Sequence, residues 1–307
     1  ECCDLCYPKC EECIDGEYKC KCPSATSVTS NLEDNCVGGS FTFTVTTSPV
    51  PSYDCISWSG GGTPSSQIGG STFTTSWDSS GTKTVTASCT NCGSSKSKQV
   101  KVIEVGSVSE DKTKACLGED ITFTANASPS GPLDCISWQK RYRAATTSAW
   151  GSWTSATGGD PTAIFSTSTG GYYQYRARNG SGDTWKESSQ VVIGAVNIIE
   201  PDNNPVTDNN FTFNSASPGV CSVTPTGTAG SSGLNVDLKW TIDAISGSTL
   251  VTPDGPNPTI TYTTLPSSNS FGQKTLKAKH SALPSNCNED TEDVETFFSM
   301  SATNNPG

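Results

Sequence analysis

The sequence predicts an all-β chain: three tandem two-sheet sandwiches preceded by a small Cys-rich segment. The first observation is an internal repeat. Cys36-Val-Gly-Gly-Ser-Phe-Thr-Phe-Thr-Val, Ser48-Pro49 and Asp54-Cys55-Ile56-Ser57-Trp58 recur without a gap, 80 positions on, as Cys116-Leu-Gly-Glu-Asp-Ile-Thr-Phe-Thr-Ala, Ser128-Pro129 and Asp134-Cys135-Ile136-Ser137-Trp138. The second is composition. Hydrophobic residues make up 33% of the 307 and charged residues 16%, against globular averages of about 45–50% and about 25%. Ser, Thr, Gly and Asn fill the gap, which suits short strands and many turns rather than helices. The third is period-two alternation: Phe41, Phe43 and Val45 point one way and Thr42, Thr44 and Thr46 the other.

In chain order, residues 1–23 form the Cys-rich segment, 24–105 the first module, 106–197 the second and 198–307 the third. The third copy is looser: Phe211-Thr-Phe-Asn, Ser217-Pro218, an insertion, then Leu238-Lys-Trp240-Thr-Ile. All three close alike, with Gly81-Thr-Lys-Thr-Val-Thr-Ala87, Gly171-Tyr-Tyr-Gln-Tyr-Arg-Ala177 and Gly272-Gln-Lys-Thr-Leu-Lys-Ala278. On these motifs the chain resembles the tandem immunoglobulin-like or PKD-like modules of bacterial or archaeal cell-surface and extracellular filament proteins. The resemblance covers 24–307 and implies a fold, immunoglobulin-like β-sandwiches, with the Trp strand in the core. Function has to come from a site.

Fifteen cysteines in a chain that opens Glu1-Cys2-Cys3 point to an oxidising compartment and a processed start. Cys36 and Cys55 are 19 residues apart, as are Cys116 and Cys135, yet neither pair is expected to bond. A strand of about eight residues rising ~3.3 Å each separates the two members, and a disulfide needs Cα atoms within about 7 Å. The turn before the Trp strand instead lies near the late hairpin. That favours Cys55 with Cys89 or Cys92, and Cys221 with Cys287. Asn179 and Gly182 stand where the first module has Cys89 and Cys92, so Cys135 lacks a local partner and a bridge from Cys36 across the junction is the alternative. Cys116 then faces the third module or a neighbouring molecule. Cys2, Cys3, Cys6, Cys10, Cys13, Cys20 and Cys22 crowd a segment too short to bury a core. Disulfides are the reading there. Cys10-x2-Cys13 with Cys20-x-Cys22 is the zinc alternative, and Cys6-x3-Cys10-x2-Cys13 only superficially matches an iron–sulfur spacing. The count is odd, so at least one thiol cannot pair within the chain, and a bond to another subunit is a natural outlet.

The net charge of −11, with no basic run, argues against nucleic acid and anionic lipid as partners. No apolar stretch is long enough to span a bilayer. No catalytic constellation is visible, so the chain reads as a non-enzyme. The lone histidine, His280, reads as a surface hairpin residue, and no Gly-x-Ser-x-Gly or His-Glu-x-x-His is present. No cofactor is expected; calcium at Asn288–Glu295, or at Asp202 and Asp208, is set against a solvated loop. Trp150-Gly-Ser-Trp153 and Tyr142, beside Lys140, Arg141 and Arg143, form a candidate binding patch for a glycan or protein; packing on the sheet is the structural alternative. Asn126, Asn179 and Asn210 begin glycosylation sequons. The expectation is therefore an extracellular, cell-surface structural subunit that polymerises with copies of itself. An adhesin or carbohydrate-binding stalk is the rival.

Overall fold

Alternating side chains decide which face of each strand is buried, and the burial follows the alternation read above. The structure, a computed structural model, describes residues 11–14, 17–20, 24–48, 53, 56–89, 94–199, 212–213, 221–223, 226–242, 248–250, 253–258, 260–262 and 272–296. The hairpin β1 (Glu11–Ile14) and β2 (Glu17–Cys20) comes first, with Cys13 opposite Tyr18 and Glu11 opposite Cys20. The other N-terminal cysteines lie outside the described residues.

Module one contains β3 (Ser24–Ser30), β4 (Asp34–Cys36), β5 (Ser40–Ser48), β6 (Ile56–Ser59), β7 (Ser66–Ile68), β8 (Thr72–Ser76), β9 (Gly81–Cys89) and the start of β10 (Ser95–Glu110). The sheet β3-β5-β8 packs on a second sheet in which β10, β9, β6 and β7 run side by side with β4 on β10. Between them lie Phe41, Phe43, Val45, Trp58, Phe73 and Val85, a continuous apolar layer. Module two adds β11 (Lys114–Ala115), β12 (Ile121–Ser128), β13 (Ile136–Arg143), β14 (Thr154–Ser155), β15 (Thr162–Phe165), β16 (Gly171–Asn179), β17 (Lys186–Glu187) and β18 (Val191–Ile193). Its sheets are β10-β12-β15 and β11-β18-β16-β13-β14, with β17 beside β16. Module three holds β19 (Asn197–Ile199), β20 (Thr212–Phe213), β21 (Cys221–Val223), β22 (Thr226–Thr228), the short helix α1 (Ser232–Asn235), β23 (Lys239–Ile242), β24 (Ser248–Leu250), β25 (Ile260–Tyr262), β26 (Gly272–Lys279) and β27 (Glu289–Thr296). Its described strands pair as β19-β22, β20-β21-β25-β24 and β23-β26-β27.

The repeat in sequence is a repeat in packing. Trp58, Trp138 and Trp240 lie directly across from Ala87, Ala177 and Ala278 of the closing strands, where a small side chain leaves room for the indole. Each indole N–H donates to a glycine carbonyl: Gly70 at 3.2 Å, Gly159 at 3.3 Å and Gly255 at 2.7 Å. A buried Trp needs such an acceptor. Even the irregularities repeat, since β3 on β5 and β10 on β12 each shift register at one extra residue, Thr26 and Gly106, which are 80 apart.

Strand β10 joins the first two modules. Ser95–Val102 pairs with β9 of module one, and Glu104–Glu110 pairs with β12 of module two. The boundary read near 105/106 thus falls inside one unbroken strand. Around it, the Asn179 side chain donates to Ile103 O at 2.9 Å, and one Asp183 carboxylate oxygen accepts from Val105 N at 2.9 Å and Asn179 N at 2.7 Å. Gly180, at φ +85°, lets the module-two hairpin touch module one, because a Cβ there would lie 2.4 Å from Val37 O.

Both disulfides with two described ends cross module boundaries. Cys36 bonds Cys135, with Cα atoms 6.2 Å apart, and Cys116 bonds Cys287, at 5.9 Å. The favoured pairing of Cys287 with Cys221 is corrected: the turn carrying Cys287 folds back onto module two, where Val196 N donates to Cys287 O at 3.0 Å. Cys221 lies on β21, Cys89 is buried, and Cys55 and Cys92 lie outside the described residues. The same junction has its own core, in which Tyr172, Val192 and Val196 of module two pack with Leu234, Leu238 and Trp240 of module three.

Candidate functional site

The outer face of the β13–β16 pair in module two carries a row of stacked arginine and tryptophan side chains. All four arginines of the chain are in it. In register, Arg143 lies opposite Tyr172, Arg141 opposite Gln174, Gln139 opposite Arg176 and Ser137 opposite Arg178. Each step moves two residues along the strands. The backbone positions that carry the four arginines therefore follow one another at ~6.6 Å intervals over about 20 Å.

The tryptophans come from loops pinned above this face. Strand β14 pairs with Gln139 and Lys140, and Gly151 N donates to Tyr142 O at 2.9 Å, which folds Trp150 and Trp153 over β13. Trp185 sits in the turn before β17, itself paired to β16. The order is Arg143, Trp150, Arg141, Trp153, Arg176, Trp185, Arg178, with guanidinium carbons 4.2–4.8 Å from the ring centroids at every step. Each such contact contributes about 0.5–1 kcal/mol when exposed. Trp150 also packs against the core shared with module three, and the turn after Arg178 is the one that touches module one. The row therefore runs from one junction to the other.

Neutral oxygens hold the guanidiniums in place. Gln174 Oε1 accepts from Nε and Nη2 of Arg141, and Gln139 Oε1 accepts from the same two atoms of Arg176. Arg143 donates to Gln190 and to Thr146 O, and Arg178 to Ser181 O. Among the described residues, Glu187 is the one carboxylate on the row, 3.3 Å from Arg141. Burial pushes the Arg176 guanidinium below its ordinary value; Glu187 works against this, and the neighbouring charges of Arg141 and Arg178 add to it.

Several expected site residues are placed differently. Tyr142 points away from Trp150 and Trp153, into the core against Tyr173, with its hydroxyl donating to Gly170 O at 3.2 Å. Its neighbours Arg141 and Arg143 face outward, as strand alternation requires. Trp150 and Trp153 are each contacted by two guanidiniums and are half-buried. Asn179 is 1% exposed, and its amide holds Cys135 N and Ile103 O, so it cannot carry a glycan. Asn126 is exposed, and Asn210 lies outside the described residues. His280 is buried rather than on the surface, and burial holds its imidazole below the ordinary value. The acidic run expected as a loop lies on β27, where Glu289 pairs with Lys277 and Lys279 and Asp290 accepts from Ile198 N. Asp202 and Asp208 lie outside the described residues. Among the described residues no group of three His, Cys, Asp or Glu side chains is placed to hold a metal, and no helix is long and apolar enough to cross a membrane.

No protein-family profile matches the sequence, and no curated protein is similar to it. Among solved structures, the chain is similar to the D0–D1 domain of intimin, at 16% identity and a TM-score of 0.22 over 55% of this chain and 98% of that one. It is also similar to invasin, described as a bacterial integrin-binding protein, at 15% identity and 0.30 over 88% of this chain and 60% of that one. A third is the surface layer protein SbsC, domains 4–9, at 13% identity and 0.24 over 89% and 47%. The chain thus spans less than two thirds of the last two.

Proposed function

We propose that this chain is an extracellular structural subunit: a stiffened rod of three immunoglobulin-like modules that joins copies of itself in a surface filament or appendage. The observation that carries this reading is the placement of the disulfides. Cys36–Cys135 and Cys116–Cys287 each tie one module to the next, at sequence separations of 99 and 171. Closing loops of this length removes denatured-state freedom equivalent to about 4.7 kcal/mol for the shorter loop and about 5.2 kcal/mol for the longer on the chain-entropy account. A bond within a module would protect that module alone; one across a junction fixes the angle between two. The unbroken strand β10 works in the same direction, since it pairs with strands of both the first and the second module. The odd cysteine count and the seven cysteines before residue 24 supply the means of linkage to a neighbour.

Electron microscopy of native material, with and without reductant, tests the proposal. Filaments in oxidising buffer that loosen or shorten on reduction are expected. A monodisperse monomer at high concentration in oxidising buffer would overturn the reading.

A further inference from the structure

We propose that the outer face of module two is a docking strip for an extended acidic polypeptide, with carboxylates at alternate residues set opposite Arg143, Arg141, Arg176 and Arg178. Three observations carry this, and none depends on whether the chain polymerises.

The first is uncompensated charge. In a chain of net charge −11, four arginines share a single described carboxylate, Glu187. Gln139, Gln174 and Gln190 occupy the positions where glutamates would neutralise the row, and they orient the guanidiniums without cancelling their charge. A face built only as an internal strut would gain from carboxylates here, because charge-assisted bonds are about twice as strong as neutral ones.

The second is preorganisation. Every guanidinium is held between an indole and a hydrogen-bond acceptor, so little side-chain freedom remains to be lost when an anion arrives. Glu187 on Arg141 shows the contact that an incoming carboxylate would make.

The third is spacing. The rungs are set by residues i and i+2 of two strands, at ~6.6 Å, and alternate side chains on one face of any extended peptide repeat at the same interval. An acidic strand laid parallel to the row presents one carboxylate for each arginine-bearing rung. Its aliphatic stems lie over the indole edges between the charges.

The test uses the full-length oxidised chain and two labelled synthetic peptides of about eight residues, equal in composition: one alternates glutamate and serine, the other places all its glutamates in one block. Polygalacturonate serves as the acidic-polysaccharide probe. The alternating peptide is expected to bind, with affinity falling about tenfold or more between low salt and roughly 0.5 M salt. The block peptide is expected to bind more weakly. The decisive variant carries Gln139→Glu, Gln174→Glu and Gln190→Glu together. It keeps the stacking and strengthens the internal bonds, so it should melt no lower than the parent while binding the peptide about tenfold more weakly, the scale expected from losing several exposed ion pairs. Undiminished binding by this variant, equal binding of the two peptides, or tighter binding of polygalacturonate than of the alternating peptide would each overturn the proposal; the last would assign the strip to acidic sugars.

Discussion

Asp183→Ala is expected to destabilise the junction between modules one and two by about 2 to 6 kcal/mol. Asp183 is 6% exposed, and one of its carboxylate oxygens accepts from two backbone donors, Val105 N on the shared strand and Asn179 N at the end of β16. Removing the carboxylate strands both N–H groups in a buried site, and each unsatisfied group costs about 1–3 kcal/mol. Asn179 is tied in turn to Ile103 O and Cys135 N, so the loss reaches the strand, the hairpin and the disulfide together. Asp183→Asn keeps an acceptor at the same place and should retain most of the stability. Urea unfolding of the two variants, followed by fluorescence, measures the difference. An alanine variant as stable as the parent would remove this carboxylate from the account of the junction.

Trp58→Ala should destabilise module one by about 3–5 kcal/mol, the range for emptying a buried aromatic site. Trp58 is fully buried, stacks 5.7 Å from Phe73, and satisfies Gly70 O through its indole N–H. Trp58→Phe refills most of the cavity but leaves that carbonyl without its donor, so an intermediate loss is expected. Hydrogen exchange should show the effect first in β5, β6 and β9. The part of β10 beyond Val105 pairs with module two and should stay protected. Equal loss of protection in all three modules would mean that they unfold as one unit.

The module architecture is legible in the sequence because its signals are local. A Trp strand, a closing strand that sets an Ala opposite that Trp and a Phe-Thr-Phe alternation each follow from a few adjacent residues, and the same motifs place Trp138 and Trp240. Strand length alone separates Cys36 from Cys55. Cys287 reads wrongly because residue spacing does not say which way a hairpin turn leans, and this one leans onto Val196. His280 reads as surface for a related reason: a lone polar residue beyond a strand is usually solvated, whereas here the turn that includes Leu283 closes over it. The binding face is half legible. Trp150, Trp153, Arg141 and Arg143 stand out in one insertion, but Arg176, Arg178 and Trp185 join them only through the register of β13 on β16. A signal was nonetheless present: the chain's four arginines fall at alternate positions of two strands, while its other cations are all lysines. Only the planar guanidinium stacks well on indole.

Disulfides bind module to module in this chain. A peptide map of the native protein under non-reducing conditions tests it most directly. The expected map contains one cross-linked peptide joining Cys36 to Cys135 and another joining Cys116 to Cys287. Recovery of Cys36 joined to Cys55, or of Cys221 joined to Cys287, would contradict it.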